Sequence, residues 1–435
     1  MKKAALHNLG CKVNAYETEA MQQLLENAGY EIVPFNQNAD IYVINTCAVT
    51  NMADRKSRQM IHRAKKLNPN AIVVAAGCYV QTKEAAGLVD RMADIVIGNN
   101  KKHELIRLIE QYEKTGRKTV EVCDINREKQ EYEPLSLVRT AEHTRAFIKV
   151  QDGCDQFCSY CIIPFARGRV RSRALSQVLG EVETLAASGY QEIVLTGIHL
   201  SSYGKDNGES LLGLIQKVHE IDGISRIRLG SIEPRIVTED FARQLAALPK
   251  VCPHFHLSLQ SGCDSVLERM NRRYRTAEYA AGCGLLRKYF VQPAITTDVI
   301  VGFPGETEEE FRVTKEYLER IHFYEMHIFK YSARDGTRAA AMEGQIPEPV
   351  KAARSASLLA LADQMSKSFR DAYLGQRVTA LLEEPMFYEG VRYMTGYTPE
   401  YIRVAIRTEE SGANRFVTGQ IARQLVGDIY LLVEF

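Results

Sequence analysis

The chain has 435 residues, of which 45% are hydrophobic and 25% charged, a balance typical of a globular protein with roughly two to four domains. Its formal net charge is only +1, so no overall field attracts nucleic acid, and any RNA-binding surface must be a local patch. It has no apolar run near the ~18 residues that cross a bilayer and no signal-peptide core, which argues against a membrane partner and predicts a cytoplasmic protein.

Residues 1–125 alternate short apolar runs with helix-like segments. The runs AALHN, DIYVIN and AIVVAA are each followed by a stretch of helical composition, such as YETEAMQQLLENAG. This rhythm predicts an α/β domain built on an open parallel sheet. The charged, proline-containing stretch over 126–144 predicts a linker or strap.

Residues 145–365 repeat this rhythm. Six strand candidates follow one another: RAFIKV, EIVLTG, RIRLGS, HFHLSLQ, ITTDVIVGF and EMHIFKYS. Helical stretches separate most of them, which predicts an incomplete (βα)6 barrel. In such barrels the chemistry gathers at the carboxyl ends of the strands.

The pattern changes after a helix predicted over roughly Pro349 to Tyr373. Short strands separated by turns over 373–435 predict a small antiparallel β-barrel or sandwich. Its aromatic residues can stack on RNA bases or pack in its core. The candidates are Tyr393, Tyr397, Tyr401 and Phe416.

Three cysteines, Cys154, Cys158 and Cys161, are spaced C-x3-C-x2-C directly after the first barrel strand. Three thiolates this close converge on one soft metal site, and a 4Fe–4S cluster with three protein ligands keeps one iron open. A structural zinc site and a chance grouping are the alternatives. Zinc usually takes a fourth ligand, and no partner pair of cysteines follows at a suitable spacing.

The motif GCDQFCSYCIIP, which includes Tyr160, resembles the signature of the radical S-adenosylmethionine superfamily. The resemblance implies that the open iron chelates S-adenosylmethionine and that the cluster cleaves it to a 5′-deoxyadenosyl radical. It extends to TGIHLSSYG, HLSLQSG and DVIVGFPGE, and it implies cofactor contacts in these segments. The implied contacts are Tyr160, Thr196, Gly197, Gln260, Asp298 and Gly302.

Each of these segments also has a purely structural interpretation. Gly302 fits a turn between a strand and an acidic helix start. Gln260 and Asp298 near strand ends are as compatible with a structural role as with ligand binding. His256 alternates with leucines, which predicts a hydrogen-bonded core histidine.

Three further cysteines, Cys11, Cys47 and Cys78, each follow a predicted strand of the N-terminal sheet. Loops after the strands of an open parallel sheet meet at one edge, so these thiols are expected to converge and hold a second cluster. Three separate core cysteines are the alternative. The remaining cysteines are predicted to be ordinary core residues. They are Cys123, Cys252, Cys263 and Cys283.

The segments LGCKVNAYETE, INTCAVT and AAGCYVQ resemble the N-terminal domain of the methylthiotransferase family, and the C-terminal barrel resembles the RNA-binding TRAM module. With the radical motif, the resemblance covers nearly the whole chain. The motif LGCKVN is most similar to the branch that modifies N6-threonylcarbamoyladenosine beside the anticodon. Alternatives are an isopentenyladenosine or ribosomal-protein aspartate substrate, and a non-enzymatic iron–sulfur protein that binds RNA or senses redox state.

The family resemblance also implies cofactors and partners. The cofactors are two 4Fe–4S clusters and S-adenosylmethionine, which serves as radical source and methyl donor. The partners are a tRNA anticodon stem-loop, an electron donor such as flavodoxin or ferredoxin, and a sulfur source.

Alternating arginines follow the central motif: Arg167, Arg169, Arg171 and Arg173. In an extended segment they would share one face and could pair with RNA phosphates, although a solvated surface strand is the alternative. Two other groups are basic. The second group is Arg269, Arg272, Arg273 and Arg275; the third is Arg55, Lys56, Arg58, Arg63, Lys65 and Lys66, on a predicted helix where a solvated face is equally compatible.

Overall fold

The computed structural model describes residues 1–84, 92–127, 130–138, 144–409 and 412–434. It contains an N-terminal parallel sheet, a central partial barrel and a C-terminal closed barrel, in chain order. The predicted fold class is thereby confirmed. None of the helices described in these ranges is long and apolar enough to cross a membrane.

The N-terminal sheet has six strands, all parallel, in the order β2-β1-β3-β4-β5-β6. The strands are β1 (Lys3–Asn8), β2 (Glu31–Ile32), β3 (Ile41–Thr46), β4 (Ile72–Gly77), β5 (Ile95–Ile97) and β6 (Thr119–Glu121). β3 and β4 are almost fully buried because helices cover both faces, which explains why their sequences are near-continuous apolar runs.

The helices of this domain connect successive parallel strands. They are α1 (Lys12–Asn27), α2 (Asn51–Leu67), α3 (Cys78–Glu84) and α4 (Leu105–Thr115). α2 begins where the Thr50 side chain accepts a hydrogen bond from the Ala53 amide, which satisfies one of the free donors at a helix start. α1 also packs against the first strand of the central barrel, so the two domains share an interface.

The predicted linker behaves as a packed strap in its described part. Leu135 and Leu137 are buried against Tyr16 and Ala20 of α1, and the buried Glu133 accepts hydrogen bonds from the Lys102 and His103 amides. Residues 128–129 and 139–143 of the linker lie outside the described residues. The exact domain limits stay a prediction.

The central domain contains the six predicted parallel strands and one short antiparallel edge strand, β8. The strands are β7 (Arg145–Asp152), β8 (Arg171–Ser172), β9 (Glu192–Gly197), β10 (Arg226–Leu229), β11 (His254–His256), β12 (Ala294–Val301) and β13 (Glu325–Lys330). They form two sheets, β10-β9-β7-β8 and β11-β12-β13, and parallel bridges such as Ile227 to Val251 link the β10 side to the β11 side. Among the described residues no pairing joins β7 to β13, so the barrel is incomplete, as predicted.

Helices cover the outside of this barrel. They are α6 (Leu175–Ala187), α7 (Leu211–His219), α8 (Glu239–Ala246), α9 (Asp264–Arg269), α10 (Thr276–Tyr289), α11 (Glu308–Ile321) and α12 (Glu348–Asp371). The short helix α5 (Ile163–Arg167) instead packs against α3 of the N-terminal domain. Strand residues alternate between two faces. The apolar ones, such as Ile148, Leu195 and Val299, join the core beneath the helices, while polar residues alternate with them and line the lumen.

The C-terminal strands close into a five-stranded barrel in the order β14-β15-β16-β18-β17. They are β14 (Arg377–Tyr388), β15 (Val391–Tyr397), β16 (Arg403–Arg407), β17 (Phe416–Val426) and β18 (Ile429–Glu434). All neighbouring pairs are antiparallel except β16 and β18, which run parallel and complete the closure.

This small barrel docks on the central one at the amino ends of its strands. The guanidinium of Arg228 lies 4.3 Å from the ring centre of Tyr401, and that of Arg226 lies 4.8 Å from the ring of Phe416. Arg145 lies 4.9 Å from both Tyr397 and Tyr401 and pairs with Glu383 at 2.8 Å. Cations over aromatic faces stabilise this interface. Three of the four aromatics proposed for RNA stacking therefore contact the central barrel, and Tyr393 is buried in the small barrel.

Candidate active site

The loops carrying Cys11, Cys47 and Cys78 meet at the carboxyl edge of the N-terminal sheet. They follow β1, β3 and β4, which are neighbours in the sheet order. The three thiols are close enough to interact electrostatically, and a Cβ placed on Gly10 would lie 3.0 Å from the Cys47 Sγ. The structure therefore brings together the three cysteines that the sequence spreads over 68 positions. Their assignment as cluster ligands remains a proposal.

Asn14 on α1 fixes two of these loops. Its Nδ2 donates to the Leu9 carbonyl at 2.7 Å and to the Thr46 carbonyl at 3.0 Å, which are the backbone groups just before Cys11 and Cys47. Gly10 has a φ of +111°, which a side chain rarely adopts. Near the third thiol, Asn99 donates to the Cys78 Sγ at 3.4 Å. Such surrounding contacts orient metal ligands.

The chemistry of this donor set fits a metal cluster. Burial raises the pKa of Cys47 to about 11, so without a metal this thiol is protonated at neutral pH. Metal binding displaces thiol protons and offsets the cost of burying the sulfur. Cys11 is exposed, yet desolvation is the main factor raising its pKa, so it lies in a recess that solvent reaches.

The second group, Cys154, Cys158 and Cys161, lies in the loop after β7, at the carboxyl rim of the central barrel. Burial raises the pKa of Cys154 to about 11 and that of Cys161 to about 12. The Cys158 Sγ accepts a hydrogen bond from Arg272 Nη1 at 3.2 Å, which places a cation beside the sulfur. The loop begins at Gly153, with a φ of +71°, where a Cβ would lie 1.8 Å from the Arg169 carbonyl oxygen. These features suit a soft cluster with three thiolates.

The residues expected to contact S-adenosylmethionine are distributed around the same rim. Thr196 and Gly197 end β9, Gly302 directly follows β12, and Tyr160 lies between two of the cysteines. Gln260 follows β11 and has a φ of +75°, a strained conformation of the kind stored at functional sites. The structure thus brings these positions to one end of the barrel, and their cofactor contacts remain a proposal.

Asp298 lies on β12 and faces the lumen rather than the rim. Its Oδ2 is 3.3 Å from the Nε2 of His256, and the ring of His256 stacks on His327 at 5.8 Å. The Nδ1 of His256 bonds Thr296 at 3.0 Å. His256 is therefore hydrogen-bonded, but it is only partly buried and lines the lumen.

A buried ion-pair network joins the two cysteine sites. Glu17 on α1 pairs with Arg167 at 2.8 Å, Lys149 at 2.7 Å and Lys102 at 3.2 Å, and all four side chains are at most 1% exposed. Asp152, two residues before Cys154, pairs with Arg167 and Lys149 as well. Arg167 Nη2 also donates to Asn14 Oδ1 at 2.6 Å, and Asn14 holds the loops of Cys11 and Cys47. One guanidinium thus connects both sites.

The prediction of a phosphate-binding row is wrong for three of its four arginines, which are buried, and it stays a prediction for Arg169. Arg167 ends α5, Arg171 starts β8, and both are buried with Arg173, which pairs with Glu181. Only Arg169 is exposed, near Asp155 and over the Phe157 ring. The prediction from alternation requires an extended backbone. That backbone is interrupted by the end of a helix, by Gly168 with its positive φ, and by a strand of only two residues. Carboxylates from α1, β7 and α6 neutralise these arginines instead of phosphates.

The second basic group diverges: Arg269 pairs with Glu310, Arg272 contacts Cys158, and Arg273 and Arg275 are exposed. Of the third group, Arg55, Arg58, Arg63 and Lys66 line one groove on α2, whereas Lys65 pairs with Asp94 at 2.6 Å. Of the four cysteines predicted to be core residues, Cys252, Cys263 and Cys283 are buried. The exception is Cys123, which is half-buried.

Several residues of the site escaped the sequence analysis. Asn14, Glu17 and Lys149 have no spacing that announces a buried network, because their partners come from other domains. A second group is the pair of His199 and Glu233 at the rim, 3.4 Å apart. Burial opposes ionisation of Glu233, but its hydrogen bond with His199 lowers its pKa to about 2. One sequence signal of the tight loops that carry the cysteines was available, because Cys11, Cys78 and Cys154 are each preceded by glycine.

Comparison with family models gives two matches. The model described as Uncharacterized protein family UPF0004 matches residues 3–98, and the model of the Radical SAM superfamily matches residues 148–318. These regions contain the N-terminal cysteines and the central triplet, respectively.

Three relatives are similar over most of the chain. The threonylcarbamoyladenosine tRNA methylthiotransferase MtaB of Bacillus subtilis is 41% identical over 429 residues, covering 97% of this chain and 94% of the relative. The protein of the same name from Aquifex aeolicus is 42% identical and covers 88% of this chain and 93% of the relative. The tRNA-2-methylthio-N(6)-dimethylallyladenosine synthase of Moorella thermoacetica is 36% identical, with 86% of each chain covered.

Among solved structures, the radical S-adenosylmethionine methyltransferase TsrM of Kitasatospora setae, with cobalamin and a 4Fe–4S cluster bound, is similar with a TM-score of 0.59. The sequence identity is 17%, and the match covers 78% of this chain and 74% of TsrM. At this identity the likeness supports the fold alone.

Proposed function

The chain belongs to the tRNA methylthiotransferase family of radical S-adenosylmethionine enzymes, and we propose that it adds a methylthio group to carbon 2 of N6-threonylcarbamoyladenosine beside the tRNA anticodon. Two relatives named for this substrate are 41% and 42% identical, whereas the Moorella relative named for the dimethylallyl substrate is 36% identical. The observation that carries the proposal is the presence of two three-thiol groups joined by one buried network.

The two groups have separate roles in this proposal. Cys154, Cys158 and Cys161 hold the cluster at the barrel rim, and the N-terminal thiols hold a second cluster at the sheet edge. When bound, the two 4Fe–4S clusters and S-adenosylmethionine supply the radical, the sulfur and the methyl group. Two sites are needed because one open iron cannot chelate the methionine part of S-adenosylmethionine and present sulfur to the substrate at the same time.

The chain's own residues position the reactants. Arg272 balances charge beside Cys158, and the Gln151 side chain ties the end of β7 to the loop after β9 by accepting from the His199 amide at 2.7 Å. The target base leaves its stack to enter the polar lumen, which costs less in an anticodon loop than in a duplex. The cytoplasmic location, the electron donor and the sulfur source stay predictions.

The exposed face of α2 is the surface that we assign to tRNA phosphates. Arg55, Arg58, Arg63 and Lys66 line an open groove of about 1160 Å³ on this helix, and α2 begins four residues after Cys47. No carboxylate among the described residues forms a salt bridge with these four side chains. Arginine and lysine without acidic partners attract phosphates, so a stem entering along α2 would bring its loop toward the thiols of the sheet edge.

The test is nucleoside analysis of tRNA. Cells that lack the gene, and the same cells with the gene restored, should be compared by mass spectrometry of digested tRNA. We expect 2-methylthio-N6-threonylcarbamoyladenosine only in the restored cells. Appearance of a methylthio isopentenyladenosine, or of a methylthio aspartate on a ribosomal protein, would instead assign one of the alternative substrates. An unchanged profile of all three would favour a non-enzymatic role.

A further inference from the structure

Three side chains that can bind a metal ion come from neighbouring strands of the central barrel. His256 ends β11, Asp298 lies in β12 and His327 lies in β13, and these strands are adjacent in one sheet. Asp298 is paired with His327 in the register of β12 and β13, and His256 is paired with Thr296, two residues before Asp298. Because side chains alternate between the two faces of a strand, this register places all three on the same face.

The face that these side chains share is the lumen of the barrel. The alternate residues on the same three strands, such as Phe255, Val299 and Met326, belong to the core beneath the outer helices. Asp298 lies four residues before Gly302 at the carboxyl rim, which corresponds to about 13 Å along a strand. The cluster therefore forms a layer deeper in the lumen than the rim that carries the central cysteine triplet.

The atoms of this cluster that can bind a metal ion lie close together. Asp298 Oδ2 is 3.3 Å from His256 Nε2, and the rings of His256 and His327 are stacked with their planes 24° apart. One imidazole nitrogen or carboxylate oxygen from each residue lies within 4.8 Å of the others. Two ligands held at about 2.1 Å from one tetrahedral ion are about 3.4 Å apart, so the first pair already has this spacing. Rotation of the exposed His327 side chain brings in the third ligand.

The protein itself leaves part of this cluster unsatisfied. The Nδ1 of His256 forms a hydrogen bond with Thr296 Oγ1 at 3.0 Å, whereas its Nε2 is buried and makes no hydrogen bond to a described residue. Asp298 forms no salt bridge with a lysine or arginine in the described part of the chain, and the group facing its Oδ2 is the His256 Nε2. A partly buried carboxylate beside an unpaired imidazole nitrogen is costly unless a cation joins them.

We propose that His256, Asp298 and His327 bind one divalent metal ion of the zinc and iron(II) class, at a site separate from the two clusters. Two imidazole nitrogens and one carboxylate oxygen are a common ligand set for these ions, whereas magnesium prefers oxygen ligands alone. In the tautomer whose Nδ1–H donates to Thr296, the Nε2 of His256 has the lone pair that binds the ion. The site is additional to the proposed function and does not depend on which substrate the enzyme modifies.

The three protein ligands come from one side of the lumen, so further coordination positions of the ion stay open. Such positions bind water or an oxygen atom of an entering ligand. The ion therefore serves as a point of attachment inside the lumen, and generation of the radical is left to the cluster at the rim.

The test is zinc binding by the anaerobically reconstituted protein with both clusters in place. The protein is dialysed against micromolar free Zn²⁺, and the zinc and iron per chain are measured in the same sample by elemental mass spectrometry. We expect about one zinc per chain and an unchanged iron content. The X-ray absorption spectrum at the zinc edge should show nitrogen and oxygen ligands at about 2.0–2.1 Å, whereas zinc on cysteine thiolates shows sulfur at about 2.3 Å.

Variants of the cluster test which side chains hold the zinc. Thr296→Val keeps all three ligands but removes the hydroxyl that orients His256, and it should weaken zinc binding by roughly 10–100-fold. Asp298→Asn and His327→Gln each remove a ligand and should weaken binding at least as much. The control is His322→Asn, which removes an exposed histidine at the end of α11 and should keep the wild-type affinity, since asparagine tolerates the positive φ of this position.

Three results would overturn the inference: no zinc bound by the wild-type protein, sulfur ligands in the zinc spectrum, or equal zinc binding by the wild type and both ligand variants. The first two need no variant, so the inference stays testable even if a variant fails to fold. None of these measurements involves RNA, and failure of the proposed substrate assignment would leave their outcome unchanged.

Discussion

Replacing Glu17 with glutamine should destabilise the contact between the N-terminal and central domains. The carboxylate of Glu17 lies 2.7 Å from Lys149, 2.8 Å from Arg167 and 3.2 Å from Lys102, and it is fully buried. Glu17→Gln keeps the shape but leaves three buried cations with less negative charge to balance them. Removing one partner of a buried ion pair typically costs about 3–5 kcal/mol, a large part of the ~5–15 kcal/mol that stabilises an ordinary protein.

The assay is urea-induced unfolding of the anaerobic holoenzyme, followed by far-ultraviolet circular dichroism, because the chain contains no tryptophan. We expect the first transition to move to lower urea for Glu17→Gln. The matched control is Glu113→Gln, which breaks the exposed pair with Lys2 at 2.8 Å and should cost less than about 1 kcal/mol. Adding Lys149→Met to Glu17→Gln should recover part of the stability, since one uncompensated cation is removed.

The pH dependence provides an independent check. Burial opposes ionisation of Glu17, but Arg167, Lys102 and Lys149 hold its pKa well below the ordinary value, and Lys149 and Arg167 do the same for Asp152. A carboxyl whose folded pKa is depressed stabilises the protein above its unfolded pKa, about 4, and this contribution disappears as pH falls. Glu17→Gln should therefore flatten the decrease in stability below about pH 4. The reasoning is refuted if Glu17→Gln unfolds within about 1 kcal/mol of the wild type, in the range of an exposed pair.

Three further predictions concern the clusters and the RNA surface. Replacing Cys154, Cys158 and Cys161 with alanine should remove about half the iron and abolish S-adenosylmethionine cleavage. Replacing Cys11, Cys47 and Cys78 should remove the other half of the iron but keep 5′-deoxyadenosine formation. Full iron content and full methylthio product in the second variant would show that those cysteines are core residues. Changing Arg55, Arg58 and Arg63 to glutamine should make the plot of log affinity for tRNA against log salt concentration less steep, by roughly 0.7–0.9 for each phosphate that is no longer neutralised. The control Arg312→Gln removes an arginine that is paired with Glu309 and Glu316, and it should leave this slope unchanged. Gly10→Ala should lower iron content by forcing a Cβ against Cys47, whereas Gly116→Ala, also at a positive φ but in open space, should not. Equal iron in both variants would contradict this role of Gly10.

The sequence was sufficient for the architecture because each domain has its own local periodicity. Apolar runs such as AIVVAA, five of whose six residues lie in β4, fall on buried parallel strands, and turn-rich segments fall on the closed barrel. The convergence of Cys11, Cys47 and Cys78 was also predictable. Strand order need not be known for that argument, because the carboxyl ends of parallel strands all lie at one edge.

Interactions between domains were not predictable from local pattern. Tyr397, Tyr401 and Phe416 look like any strand aromatics, and only the docked structure shows that arginines from the central barrel stack on them. The same limit explains the error over Arg167, Arg171 and Arg173. Alternation defines a face only while the backbone stays extended, and the neutralising carboxylates come from segments as far away as Glu17, 150 positions from Arg167.

Arg167 is buried between the two cysteine groups and not exposed in a phosphate-binding row, and this buried position explains how the two groups are held together. A single adenine must be reached from both cysteine groups, so their separation has to be fixed while the substrate enters and leaves. Arg167 follows Cys161 by six residues on α5, and its guanidinium contacts Asp152 on one side and Asn14 and Glu17 on the other. Its planar fork binds these partners in fixed directions, which the flexible ammonium of lysine does not do. Under the proposed function, the most deeply buried arginine of the row therefore holds the two thiol groups in register, and the exposed face of α2 is the surface assigned to the RNA.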